Sequence, residues 1–367
     1  MDVFRLRDRE LNLPLYVDHR DSLAGMVARP SPSCPQVIHR VPQAPFRLDR
    51  SMLLLLIACT TSAPPYHDVE PADKVGVAAT PQRVRVLLNW YAEPEFGGYY
   101  QALAEGLYAA RGLDVTVTPG LPGAPVLEMV AAGQAEVAVS GADDVLARRA
   151  KGMDIVGVFP GFQHTPIGLM THTGGPARYE DVTGNVAIEA GSPFQRFLWQ
   201  KYGWEGKVNP VPTTGSIGAF AADPSLVQQA YITSEPCQAK EAGLVTGFLP
   251  GRDAGWDAYN SLVVVRGADK ELPWVADFIG ASRLGWESYL KDPAKANAEI
   301  AKINPDMTEI RMRCIAEAQR PFVIGTDGLG VMTEARWAAT ATTLVSVGQD
   351  VKPDGAFYVP KPRSPLP

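Results

Sequence analysis

A chain of 367 residues is long enough for two lobes of about 150 residues, each burying its own core. Its 46% hydrophobic and 20% charged content is ordinary for a globular protein, and a net charge of −6 argues against a nucleic-acid partner. No apolar run approaches the roughly 20 residues that a membrane-spanning helix requires.

The front of the chain differs from the rest. The first 50 residues hold eight arginines, six acids and six prolines without a sustained hydrophobic period, which leaves 26 Lys and Arg against 34 Asp and Glu in the remainder. Residues 1–51 therefore read as a disordered or over-extended leader, outside the fold. Next come the basic flank Arg47 to Arg50, the short apolar run Met52 to Ala58, and Cys59. Segment 52–59 resembles a bacterial lipoprotein signal with the lipobox Leu56-Ile57-Ala58-Cys59, so Cys59 is the expected lipidation site; the alternative is a buried strand ending in a cysteine. Residues 60–82, rich in Pro, Ala and Ser, suit a tether behind such an anchor. The mature chain then keeps Cys237 and Cys314, which are able to pair in an oxidising compartment.

Val84, Val86 and Leu88 alternate with less apolar neighbours and predict a strand. A polar, aromatic connection follows from Asn89 to Phe96. Gly97-Gly98 lets a helix begin without crowding its first amides; Tyr100, Leu103, Ala104 and Leu107 carry the helical period, and Gly112 is its αL stop. Further strands are predicted at 113–118, 135–139, 155–159 and 167–170, with helices from 124 and after Ser140, the expected N-cap. After the polar stretch 171–177 a second α/β run begins: strands at 186–189, 208–211, 227–232, 244–249 and 259–265, and helices after Ser192, Ser216 and Ser234. Ser192-Pro193-Phe194-Gln195 has the form of a capping box with proline at the first helical position. From Lys270 onward the period is helical, at 272–290, 293–303, 308–319 and 333–347. These helices bring no strands, so they must pack on an existing sheet. The organisation expected is a first lobe at 83–175, a second at 176–265, helices returning to the first lobe at 266–350, and a tail at 351–367.

In open α/β sheets, ligands sit beyond the carboxyl ends of strands, where free amides at helix N-termini gather. Two facing lobes of such connections make a polar cleft. Trp90 and Tyr91 fall at its mouth; the alternative is that they close the top of a core.

The runs NWYAEPEFGGYYQALAEGLYAARGLDV, VLEMVAAGQAEVAVSGADDVLARRAKG, FQHTPIGLM and DPSLVQQAYITSEP resemble the periplasmic substrate-binding proteins of nitrate/sulfonate/taurine and thiamine-precursor ABC importers, from about Val84 to Val347. The resemblance implies a type II periplasmic-binding fold: two α/β lobes with a cleft, joined by two hinge crossings. It also implies a monomer outside the cytoplasmic membrane, periplasmic or at the cell surface, that captures a small molecule by lobe closure and serves permease and ATPase subunits. In the thiamine-precursor members an aromatic pair after the first strand sandwiches the ligand, which Trp90 and Tyr91 match here, with Asn89 standing where many relatives have Asp. Phe96, Ser140, Asp143, Gln163, His164, Ser192, Gln195, Glu235 and Tyr259 fall in the family's cleft-facing loops and are the further candidate contacts.

Enzyme readings find little support. There is no H-E-x-x-H, G-x-S-x-G, Walker or G-x-G-x-x-G motif, and the mature region has two histidines beyond His67, so neither a metal centre nor a cofactor is expected. The family also contains thiamine-pyrimidine synthases, whose Cys-rich motif and lysine in the N-terminal lobe are missing here. The predicted cleft loops contain no Lys or Arg but do contain Trp90, Tyr91, Phe96, Phe162 and Phe194. That balance favours a planar heteroaromatic, such as a thiamine-pyrimidine precursor or a flavin, over the alternative of a sulfonate, taurine or nitrate.

Overall fold

The computed structural model describes residues 80–363 other than 122 and 214. The leader, the signal with Cys59 and nearly all of the tether lie outside these residues. Among the described residues no helix is long and apolar enough to cross a membrane.

Two five-stranded sheets organise the fold. In the first, β2 (Leu113–Thr118), β1 (Gln82–Leu88) and β3 (Val137–Ser140) run parallel. β10 (Asn260–Arg266) inserts antiparallel between β3 and β4 (Ile155–Phe162). In the second, β7 (Val208–Pro212), β6 (Gly184–Ile188) and β8 (Val227–Tyr231) are parallel, and β5 (Ile167–His172) lies antiparallel between β8 and β9 (Thr246–Pro250). Each sheet thus has the same plan, with one reversed strand in fourth place. This is the two-lobed α/β architecture expected from the sequence.

The alternation along β1 is realised as buried Val84, Val86 and Leu88 against partly exposed neighbours. One face of the first sheet packs under α1 (Gly97–Ala104), α7 (Pro273–Tyr289) and α8 (Ala294–Ile303), around Tyr99, Phe278 and Trp286. The other face meets α2 (Val126–Ala131), α3 (Ala142–Arg149) and α11 (Glu334–Ser346). That core continues into the second lobe through Leu169, Ile188 and Leu198 of α4 (Pro193–Tyr202). A smaller cluster around Met170 and Phe220 fills the far face, beneath α5 (Gly218–Ala222) and α6 (Glu235–Glu241).

Several expectations change. Ile167–His172, left in the first lobe on its sequence, pairs with β8 and β9 because its apolar run fits between two strands of the second sheet. The chain therefore crosses between sheets at 163–166 and 251–259, not at the lobe boundaries near 175 and 265 expected from the sequence. The first helix stops at Ala104, Gly106 turns with φ +69°, and a 3-10 turn leads to the left-handed Gly112. Gly98 has a reason other than free amides: a Cβ there would overlap the Trp286 ring, so the glycine lets α7 approach α1. Not all the C-terminal helices stay with the first lobe. α9 (Glu309–Ala318) packs on α6 as well as on the 94–96 turn, and α11 touches both α3 and α4.

Candidate functional site

A cavity of about 520 Å³ opens between the two sheets. The first lobe contributes Asn89, Gly141, Asp143, Asp144 and Asn260; the second contributes Glu189, Ser192, Phe194 and Tyr231. Thr165 and Trp256 reach it from the two crossings. Its second-lobe wall is fixed by the α4 start, where Gln195 N–H donates to Ser192 Oγ at 3.1 Å and Gly191 N–H to Gln195 Oε1 at 2.5 Å. This is the predicted capping box with its return bond shifted one residue. On the facing wall α3 begins at Gly141 instead of Ser140, because the Ser140 hydroxyl donates to Asp144 Oδ2 at 3.1 Å. Burial, then the charge of Asp144, pushes the Asp143 carboxyl up to about 7.

Aromatic and basic groups are not distributed as the sequence suggests. Trp256 lines the cavity and packs against Phe194, centroids 5.7 Å apart. Trp90 and Tyr91 instead meet edge to face, 5.3 Å apart, leaving no slot for a ring between them, and neither lines the cavity. The cleft loops lack basic residues as read, but the last turn of α3 brings Arg148 and Lys151 to the rim. Arg148 is held at 2.7 Å by Glu128.

The other candidates lie apart from the cavity wall. Phe96 is fully buried in the first core. Tyr259 is also buried, its hydroxyl accepting from Thr333 N–H at 3.1 Å and its ring lying 4.1 Å from the Arg336 guanidinium. Gln163 and His164 belong to a polar knot at the crossings. His164 Nδ1 bonds to Asp257 Oδ2 at 2.8 Å, while Arg336 donates both to Asp257 Oδ2, at 3.2 Å, and to the Gln163 carbonyl.

Glu235 belongs to a second junction between the lobes. Its carboxylate accepts from Tyr231 N–H at 2.8 Å. Nearby, Thr233 of the second lobe donates to Glu95 of the first at 2.8 Å, both residues buried. Burial and the neighbouring Glu95 and Glu235 push Glu93 up to about 8. Burial pushes Glu95 up to about 7 against the Thr233 hydrogen bond. Two residues into α6, Cys237 forms a disulfide with Cys314 of α9, with Cα atoms 5.8 Å apart. Glu241 extends this seam, accepting from Thr308 at 2.6 Å and from Arg311 Nε at 2.8 Å. Gln319 and Asn304 in turn donate to the carbonyls of Pro94 and Ala92, so the C-terminal segment is anchored in the first lobe and cross-linked to the second.

Sequence reasoning thus brings Asn89, Asp143, Ser192 and the aromatic Phe194 to one cavity. It misses Asp144, Thr165, Glu189, Tyr231, Trp256 and Asn260. Trp256 carried no clear signal, since it is itself buried in the core with Phe194 while also bordering the cavity. Glu189 and Asn260 carried none, since each is one polar residue at the end of a strand.

Residues 93–296 match the family model described as "NMT1/THI5 like". The riboflavin-binding protein RibY of Chloroflexus aurantiacus is 27% identical over 320 residues, covering 81% of this chain and 90% of its own length. The fold is shared with the periplasmic aliphatic sulphonate binding protein SsuA from Escherichia coli, with a TM-score of 0.60 at 15% identity over 77% of this chain and 94% of that one. The alkanesulfonate-binding protein SsuA from Xanthomonas axonopodis pv. citri, bound to MOPS, gives 0.55 at 15% identity over 77% and 100% of the two chains.

Proposed function

The chain belongs to the NMT1/THI5-like family, and from that premise we propose that it is the extracytoplasmic solute-binding component of an ABC importer, capturing a planar heteroaromatic molecule by closure of its lobes. The observation that carries this reading is a cavity whose walls come from both lobes and both crossings, so that a ligand in it is gripped from two sides. A volume of about 520 Å³ accommodates a flavin ring system or an aminopyrimidine. Trp256, Phe194 and Tyr231 offer apolar ring surface, while Asp143, Asp144 and Glu189 make the walls acidic and disfavour an anion. Resemblance to a riboflavin-binding protein supports the same ligand class.

Closure would turn on segments 163–166 and 251–259, with the polar knot of Gln163, His164, Asp257 and Arg336 holding the two crossings together. In this reading the protein works as a monomer, periplasmic or at the cell surface, anchored through a lipid on Cys59 and delivering its ligand to permease and ATPase subunits. A sulfonate or related anion is the second reading, favoured by the α4 N-terminus at the cavity and by Arg148 and Lys151 at the rim. Calorimetry with riboflavin, an aminopyrimidine, taurine, an alkanesulfonate and nitrate separates them. Binding of riboflavin or the aminopyrimidine, with a smaller radius of gyration in the bound state, is expected. Binding confined to sulfonates or nitrate would overturn the reading.

A further inference from the structure

Among the described residues, one non-glycine has a positive φ: Ser261, at +45°, buried where β10 enters the first sheet beside the cavity. That conformation costs free energy in any residue bearing a Cβ, and it persists only where the surroundings hold it. Here they do so from both sides of the residue. The Tyr99 hydroxyl donates to the Ser261 carbonyl at 2.5 Å, and the Ser261 N–H donates to Oδ1 of the preceding Asn260 at 2.7 Å.

The second bond decides how Asn260 faces the cavity. With Oδ1 committed to its neighbour's amide, the other arm of the side-chain amide, Nδ2, is left with two donors. Nδ2 has no protein acceptor among the described residues. It lies 3.6 Å from the point a Cβ on Gly141 would occupy, and that same Cβ would overlap Oδ1 of Asp143. Gly141, Asp143 and Asn260 all line the cavity. Their backbones are fixed to each other, since Ala142 N–H donates to the Tyr259 carbonyl at 2.9 Å. A fixed donor and a carboxyl oxygen therefore stand side by side on the first-lobe wall, and the bare Cα of Gly141 leaves the space over which they meet.

We propose that Asn260 and Asp143 are a specificity-determining pair that reads a ligand edge on which an acceptor adjoins a donor, a ring carbonyl beside a ring N–H or a ring nitrogen beside an amino group, with Ser261 as the positioning residue that aims Asn260. This rests on the heteroaromatic reading given above and narrows it from a ring of suitable size to a ring with that edge. Asn260 Nδ2 donates to the ligand acceptor, and Asp143 Oδ1 accepts from the ligand donor. A site built to hydrogen-bond such an edge discriminates strongly against an analogue lacking it, because its own polar groups are then left unpaired.

The test compares riboflavin with 3-methylriboflavin, in which the ring N–H between two carbonyls is blocked. Wild-type protein is expected to prefer riboflavin by at least about tenfold. In Asn260→Ala and in Asp143→Ala the ligand is no longer held in register, and the preference should fall below about threefold. A wild-type protein that binds riboflavin but treats the two flavins alike overturns this inference and leaves the heteroaromatic reading standing. So does an Asn260→Ala protein that binds both more weakly with the preference intact, since Asn260 would then be structural. Failure of the wild type to bind riboflavin or an aminopyrimidine at all overturns both.

Discussion

The lobes meet in two places that are built in opposite ways. At the seam formed by Glu93, Glu95, Thr233, Glu235, α6 and α9, contact is buried, cross-linked by Cys237–Cys314 and extended by Glu241 with Arg311. At the cavity, between the α3 and α4 N-termini, the walls carry hydrogen-bonding groups and enclose about 520 Å³. Carboxyls appear in both places but in different company. At the seam Glu93 and Glu95 are buried, whereas Asp144 and Glu189 border the open cavity. The contrast separates a fastened side from an open one: the seam is cross-linked covalently, and the cavity opens where no such cross-link joins the walls.

The largest effect that would break this contrast is loss of the cross-link. Cys237 and Cys314 are 77 residues apart in sequence, so on chain-entropy grounds Cys237→Ser/Cys314→Ser should lose about 4–5 kcal/mol of stability. Denaturant unfolding measures the loss, and small-angle scattering of the ligand-free variant should give a larger radius than wild type. Unchanged values in both would mean that the seam is held by packing alone.

The cavity side is sharpened by Trp256→Ala. Removing this ring should weaken riboflavin binding tenfold or more, about 1.4 kcal/mol, with the seam untouched. Calorimetry checks it, and retention of full affinity would place the stacking surface elsewhere.

Protons should act on the seam. Glu93 and Glu95 bind protons more tightly in the folded protein than in the unfolded chain, where a glutamate titrates near 4.5. Their contribution is complete below about 4.5 and is lost as pH rises through about 7 and about 8. Melting temperature measured from pH 5 to 9 should therefore fall more steeply in wild type than in Glu93→Gln/Glu95→Gln, and equal slopes would remove these carboxyls from the account. Carboxyls held low by partners, such as Glu136 beside Arg85, act in the opposite sense at acid pH and cancel in the comparison.

The smallest effect belongs to Trp90→Ala. With its ring edge-on to Tyr91, which is 41% exposed, and away from the cavity, the substitution should change riboflavin affinity by less than about threefold. A loss as large as that of Trp256→Ala would return the aromatic pair to the site.

Most of the fold was legible because it is written in local signals. The β1 alternation, the Ser192 capping box and the period of α7 each need only a short window of sequence. What could not be read depends on partners distant in the chain. The apolar run Ile167–Met170 fits either sheet; only its pairing with β8 and β9 decides. Glu235 reads as a cleft acid until Glu93 and Glu95 are seen beside it. Asn260 acquires a direction from the backbone of Ser261, which the sequence does not announce.

The place of β10 in the first sheet has a consequence for how the protein is made. That sheet is ordered β2-β1-β3-β10-β4, so β4 joins the rest only through a strand synthesised about a hundred residues later. The second sheet, β5 to β9, is contiguous in the chain and is able to form while the first still lacks its fourth member. During synthesis the later lobe is thus the earlier one able to close. The first waits with the inner edges of β3 and β4 unpaired until residues 260–266 arrive, an interval in which those edges are open to pairing with other chains.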